Sequence, residues 1–404
     1  MNFDDFQTAA RSATPATILQ QLVHSLEHDQ QYSAWFEALK LQARFELGLE
    51  PWNLGVAESL TAEVQRQLED RLVEACRVVG ERMLAVGRIS EGWMYLRPVG
   101  DSVRAVELLR QVELTDENCD QIIEVALGHG AAPAWGFELL LQRMGTCNAI
   151  TAFDTQMAQA TLPERQQAAV LLLRHLYAEL LKNVRQHGWQ CLSAATPLSE
   201  SETTEWDLVQ WVEHAPQLVA NQNYHTDPSH LSSVVRIARI VDDPETQRLA
   251  WQLCRYGQQL DELFQPQGYA VFDPYYATHV AYYEVLLGKE SATEGLEFFR
   301  QRRAALTLAA AQPTALSWEA QIEATDILVE LLMRRNQPGD AIQVLLDQLQ
   351  VCGEHQRSRW TALLFRCCQA QQDFAPMLNY ARALGDGFGF GLATFYQRYA
   401  AKCS

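Results

Sequence analysis

One recurrence constrains this chain more than any other feature. Val241/Ala250/Cys254, Leu286/Gly295/Phe299 and Leu332/Ala341/Leu345 each place a small residue nine positions after one large apolar residue and four before another; the small residue returns after 45 and then 46 positions. Leu96/Ala105/Leu109 obeys the same offsets nearer the start. Asp227-Pro228 and Asp273-Pro274 add a second mark 46 residues apart, each ahead of an apolar run. A small residue at a fixed place lets two helices approach closely. An Asp-Pro pair suits a helix start, because the carboxylate accepts a free N–H while proline needs no acceptor for one. The recurrence predicts an all-α chain: stacked antiparallel helical hairpins forming an α/α superhelix, or solenoid. Only 21 Gly and 14 Pro among 404 residues leave little material for a strand-and-turn architecture.

Two long helices are legible outside the repeat. Between Leu60 and Val86, Leu68, Leu72, Cys76, Val79 and Met83 recur every three or four positions on one face, and Gly87 is expected to end the helix. Thr161-Leu162-Pro163-Glu164 opens a second, in which the threonine hydroxyl can accept an N–H while Glu164 reaches back. That helix carries Ala169, Leu173, Leu176, Leu180 and Val184 and is expected to stop at Gly188. The stretch 193–205 is polar and aperiodic, so it reads as a boundary. The expected organisation is an N-terminal helical domain over 1–192, a polar linker with a short helix over 193–222, and a C-terminal helical-repeat domain over 223–404.

The large, small, large spacing resembles the core of the tetratricopeptide repeat, in which helix A packs on helix B through a small residue. The likeness covers about four hairpins; its block of about 46 residues exceeds the usual 34, and the repeat's Trp-Leu-Gly-Tyr positions are mostly absent. It also resembles blocks in bacterial proteins to which no activity attaches. The resemblance implies an α/α superhelix of related kind.

Fifty acidic residues against 32 basic give a net charge of −18, which disfavours nucleic acid and anionic membrane as partners. The N-terminal Met1-Asn2-Phe3-Asp4-Asp5 lacks the positive end of a secretory signal, and no window approaches 18 uninterrupted apolar residues, so a cytoplasmic location is expected. Nine cysteines without CxxC spacing read as reduced, mostly buried thiols. Neither GxGxxG, GxxxxGK[ST] nor GxSxG is present, leaving nucleotide-driven and serine-hydrolase chemistry unsupported.

The densest polar and aromatic constellation runs from Asn223 to His230 and resumes at Phe272 to His279. If Asp227 caps a helix, His225 lies before it, His230 lies in its first turn and His279 in the next A helix. These three imidazoles, with Asp227 or Glu284 supplying oxygen, suit a divalent metal such as zinc or iron. Tyr224, Asp227, Tyr276 and Tyr283 could line a ligand pocket beside them. The competing structural reading makes the aspartates caps, the loop histidines local hydrogen-bonding groups and the tyrosines core. Cys147, just after Gly145, could sit at a helix start that lowers its thiol pKa, with His129 or His175 as base; a lone cysteine among small residues is more often packing. Two functions follow as expectations: a scaffold recognising a partner protein or peptide on its concave face, or a metal-dependent enzyme or small-ligand sensor around His225, His230 and His279.

Overall fold

A computed structural model describes residues 3–52, 60–193, 205–310 and 315–403. Among them every regular element is helical and no strand occurs. The chain divides into two compact units, Met1–Ala168 and Ala169–Ser404.

The first unit contains α1 (Phe3–Ala10), α2 (Pro15–His28), α3 (Tyr32–Glu46), α4 (Ala62–Ala85), α5 (Ile89–Leu96), α6 (Ser102–Gln111), α7 (Cys119–Ile123) and α8 (Pro133–Thr155). Caps define several starts: Thr14, Thr61 and Asp101 accept the N–H groups of Thr17, Val64 and Arg104. Successive helices from α2 to α5 pack on one another. A core of Leu26, Tyr32, Trp35, Ala38, Val79 and Met83 lies among them. Gly80 and Gly92 make the α4–α5 crossing close: a Cβ on either would stand 3.0 Å from the other's carbonyl oxygen. Val86 falls outside the buried face expected for it; it is 45% exposed, because it is the C-cap, where the helical stripe has already ended.

The division between units falls inside α9 (Leu162–Ser193). Glu164 reaches back as expected, but it accepts both the Thr161 N–H (2.9 Å) and the Thr161 hydroxyl (2.7 Å). Gly188 does not stop the helix. Its lack of a side chain serves packing: a Cβ there would stand 2.4 Å from the Trp211 ring. From Ala169 onward α9 belongs to the second unit through buried Leu172, Leu173, Leu176, Leu180 and Val184. The Tyr177 hydroxyl also donates to Gln252 Oε1 at 2.6 Å. The compact division therefore lies earlier than the polar stretch, most of which (194–204) is outside the described residues.

The second unit continues with α10 (Leu208–His214), α11 (Pro228–Ile237), α12 (Pro244–Gly257), α13 (Tyr275–Leu287), α14 (Ala292–Ala310), α15 (Ala315–Arg334), α16 (Pro338–Val351), α17 (Glu354–Gln371), α18 (Ala375–Leu384) and α19 (Gly387–Cys403). From α11 onward each helix packs on the next. Ala250 in α12, Gly295 in α14 and Ala341 in α16 are all buried. A Cβ on Gly295 would meet Val285 Cγ2 at 2.8 Å and the Ala281 carbonyl at 3.1 Å, so this small residue marks the α13–α14 contact. Of the flanking large residues in the four blocks only Leu286 is half-buried; the rest are buried.

Asp227 caps α11 as expected, accepting the Ser229 N–H at 2.8 Å. Asp273 does not cap α13: Pro274 occupies the N-cap position, and no side chain caps that end. The missed equivalent is Asp243 before Pro244, which accepts the Thr246 N–H at 2.8 Å.

One turn recurs between helices in both units. At Gln30, Gly87, Gly288, Asn336, Gln372 and Gly385 the backbone is left-handed, with φ between 55° and 80°. The next residue's N–H donates to the carbonyl five positions back: Gln31 to Leu26, Arg88 to Met83, Lys289 to Glu284, Gln337 to Leu332, Asp373 to Cys368, Asp386 to Ala381. This is the six-to-one bond of a Schellman cap, which satisfies an orphan carbonyl while reversing the chain.

Candidate functional site

The loop before α11 is tied down at His225. Its N–H donates to the Tyr256 hydroxyl oxygen at 3.0 Å, and Asn183 Nδ2 donates to its carbonyl at 2.9 Å. The ring lies between Tyr256 Oη and His187, with Nδ1 2.9 Å from the hydroxyl and Nε2 2.9 Å from His187 Nδ1. Tyr256 Oη already accepts from the backbone, so its hydrogen is satisfied by donation to Nδ1. Nε2–H then donates to His187, which fixes a neutral tautomer. Burial, with a smaller contribution from His187, pushes the His225 pKa down to about 4. Its neighbour Tyr256 is moved above the phenol range by burial.

His279 lies elsewhere in the unit, in an aromatic core. Its ring stacks on Phe272 at 4.0 Å between centroids, and Nδ1 donates to the Tyr275 carbonyl at 2.8 Å. Nε2 is buried without a hydrogen-bond partner. Burial, then the Arg239 charge, push this pKa down to about 3. His230 stands half-buried in the first turn of α11. Glu284, the suggested oxygen donor, instead accepts from Trp251 Nε1 (3.2 Å) and the Ser291 hydroxyl (2.7 Å). Among the described residues, no three histidine, cysteine, aspartate or glutamate side chains gather so as to hold a metal ion.

The proposed pocket residues are likewise dispersed. Tyr283 is buried and donates to the Val235 carbonyl at 3.1 Å. Tyr276 is buried with its hydroxyl unpartnered, its ring filling the space a Gly257 side chain would need. Tyr224 is exposed against Phe264, and Asp227 is occupied as a cap. Cys147 lies two residues past a non-helical Gly145 (φ 76°) that kinks α8, as its position suggested; it is exposed rather than buried, and His129 pairs with Glu124.

Sequence reasoning missed a band of charge along α15. Glu323, Asp326 and Glu330 fall three and four positions apart, on one helical face. Arg239, from the end of the first hairpin's A segment, reaches Glu323 at 3.2 Å while its guanidinium covers the Phe272 ring. Arg334 pairs with Glu330 (2.8 Å) and Asp242 (3.0 Å) and donates to the Val241 carbonyl. Arg359 of α17 pairs with Asp326. Burial, opposed by Arg359 and assisted by the Glu330 and Glu323 charges, pushes Asp326 up to about 6; burial also raises Glu330. The acidic spacing was visible in the sequence. Arg334, four positions after Glu330, was visible with it, whereas Arg239 and Arg359 come from segments far away in the chain.

Cavities open at several places among the described residues. One of 440 Å³ lies in the first unit against Tyr32, Met83, Arg88, Glu91, Met94 and Tyr95. Another of 290 Å³ opens between α13 and α14 over Gly295, and one of 180 Å³ abuts Tyr256. The last is below the several-hundred Å³ usual for an enclosed ligand. These features define an all-α protein of helical hairpins packed in sequence. In comparisons with protein-family models, curated proteins and solved structures, nothing matches the chain. Among the described residues no helix is long and apolar enough to cross a membrane.

Proposed function

We propose that this chain is a binding protein whose C-terminal hairpins form a superhelical array of tetratricopeptide-like kind, and that it recognises a basic or neutral segment of a partner protein on the array's concave face. One observation carries the reading: a partly exposed charged band is assembled from segments far apart in the chain, with Arg239 just after α11, Glu323, Asp326 and Glu330 from α15 and Arg359 from α17. A surface composed of several repeats is how such arrays read an extended ligand. Glu323, whose side chain is 43% exposed, leaves carboxylate available to a basic side chain. The chain's acidic balance would steer such a partner inward.

The test places a photo-crosslinking amino acid at Glu323 and, as control, at exposed Glu297 of α14, in the full chain expressed in its native host. A discrete crosslinked product from position 323, absent at 297 and competed by a lysine-rich peptide, is expected. No product at 323, or equal products at both positions, overturns the proposal.

A further inference from the structure

The last helix carries the opposite character from the rest of the chain. Residues 354–403 hold six basic residues (Arg357, Arg359, Arg366, Arg382, Arg398 and Lys402) against three acidic (Glu354, Asp373 and Asp386), so this end is net positive in a chain of net charge −18. α19 itself contains no acidic residue. One side of it packs on α18 through buried Gly389 and Ala393. The other side exposes Phe388 (80%), Phe395 (60%) and Tyr399 (56%). At 100° per residue these three fall within about 40° of one another, forming a single stripe. Phe395 and Tyr399 stack with centroids 5.9 Å apart, and exposed Arg398 flanks them.

This exposed face has the aromatic anchors of a helix that packs against a partner. We propose that the outer face of α19 is a docking surface for an amphipathic α-helix with an acidic polar side, supplied by a partner protein and lying along the aromatic stripe. The aromatic stripe meets the apolar side of that helix, and Arg398 meets its carboxylates. Charge decides against pairing with a second copy of α19, which would set arginine against a helix with no acidic residue. This surface is independent of the band on α15, so either can fail alone.

The probe is a fluorescein-labelled, side-chain-stapled helix with leucine at heptad positions a and d and glutamate at e and g, beside a counterpart with lysine at e and g. Anisotropy with the full chain should show the glutamate helix binding at least tenfold more tightly than the lysine helix. Phe395→Ser with Tyr399→Ser should weaken binding tenfold or more with the helical circular dichroism unchanged, and Arg398→Glu should erase the charge preference. Absence of binding, equal affinity for both helices, or unchanged affinity in the double variant overturns the proposal. So does sedimentation as a dimer that those two serines dissociate, or flotation with anionic phosphatidylserine vesicles that they abolish.

Discussion

At the scale of single residues, glycine has two opposite uses in this protein. Gly188 and Gly391 both lie inside helices, where alanine is favoured by about 1 kcal/mol. Only Gly188 faces a ring that cannot yield, that of fully buried Trp211. Gly188→Ala should therefore destabilise by about 1–3 kcal/mol, the usual range for overpacking. Gly391→Ala, with open space around it, should stabilise by up to about 1 kcal/mol. Thermal melts of the two variants check both signs.

Titration is also decided residue by residue. His225 and His279 have folded pKa values depressed to about 4 and about 3. Below the ordinary histidine value of 6.5 the unfolded chain thus binds protons that the folded one does not, and stability falls as pH drops from about 7 toward 4. Asp326, raised to about 6, works the other way: between its unfolded value of 3.8 and 6 the folded state holds the extra proton, and stability gains as pH falls. Asp326→Asn removes that gain, so its melting temperature should decline more steeply than that of the parent between pH 7 and 4.5. A parallel decline would show that this carboxyl does not titrate differently on folding. His279→Phe should flatten the slope, which the same melts report.

At the scale of elements, the hairpin turn is the repeated device. Its left-handed position is glycine at 87, 288 and 385 but glutamine at 30 and 372 and asparagine at 336. A side chain in that conformation costs about 1–2 kcal/mol, less for asparagine. Gln372→Gly should raise stability by about 0.5–1 kcal/mol after the entropy of the more flexible unfolded chain is offset. Gly87→Ala should lower it by about 1 kcal/mol through backbone strain alone, since nothing lies within 4 Å of its added methyl. Denaturant midpoints at constant m-value measure both. The turn at Gly87 was visible as a helix stop. The glutamine turns were not, because local propensity disfavours what tertiary packing imposes there.

At the scale of the whole molecule, the place where the second unit begins separates two expectations. A fragment from Thr161 to Ser404 keeps all of α9, including the apolar face from Leu172 to Val184 and the bonds from Tyr177 to Gln252 and Asn183 to His225. It should fold with helical circular dichroism and a cooperative melt. A fragment beginning at Ser193, where the polar stretch starts, exposes the surface those leucines cover and should melt at least 10 °C lower or not fold cooperatively. If the shorter fragment matched the longer, α9 would be dispensable to the unit.

Much of the architecture could be read locally. A 3.6-residue period, Asp and Thr caps, and small residues at fixed offsets act within a turn or a hairpin, so the order of residues alone marks Ala250, Gly295 and Ala341 as buried helical positions. The histidines show the limit: their nearness in sequence implied convergence, yet His225 bonds to His187 and Tyr256 while His279 stacks within an aromatic core. Local chemistry alone determined that this chain is helical and where several of its helices start. Only the tertiary structure decided that Gly188 continues a helix beneath Trp211 and that Arg239 and Arg359 meet one row of carboxylates. Those choices depend on which surfaces exclude water together, and residues scores of positions apart carry no mark of that in their order along the chain.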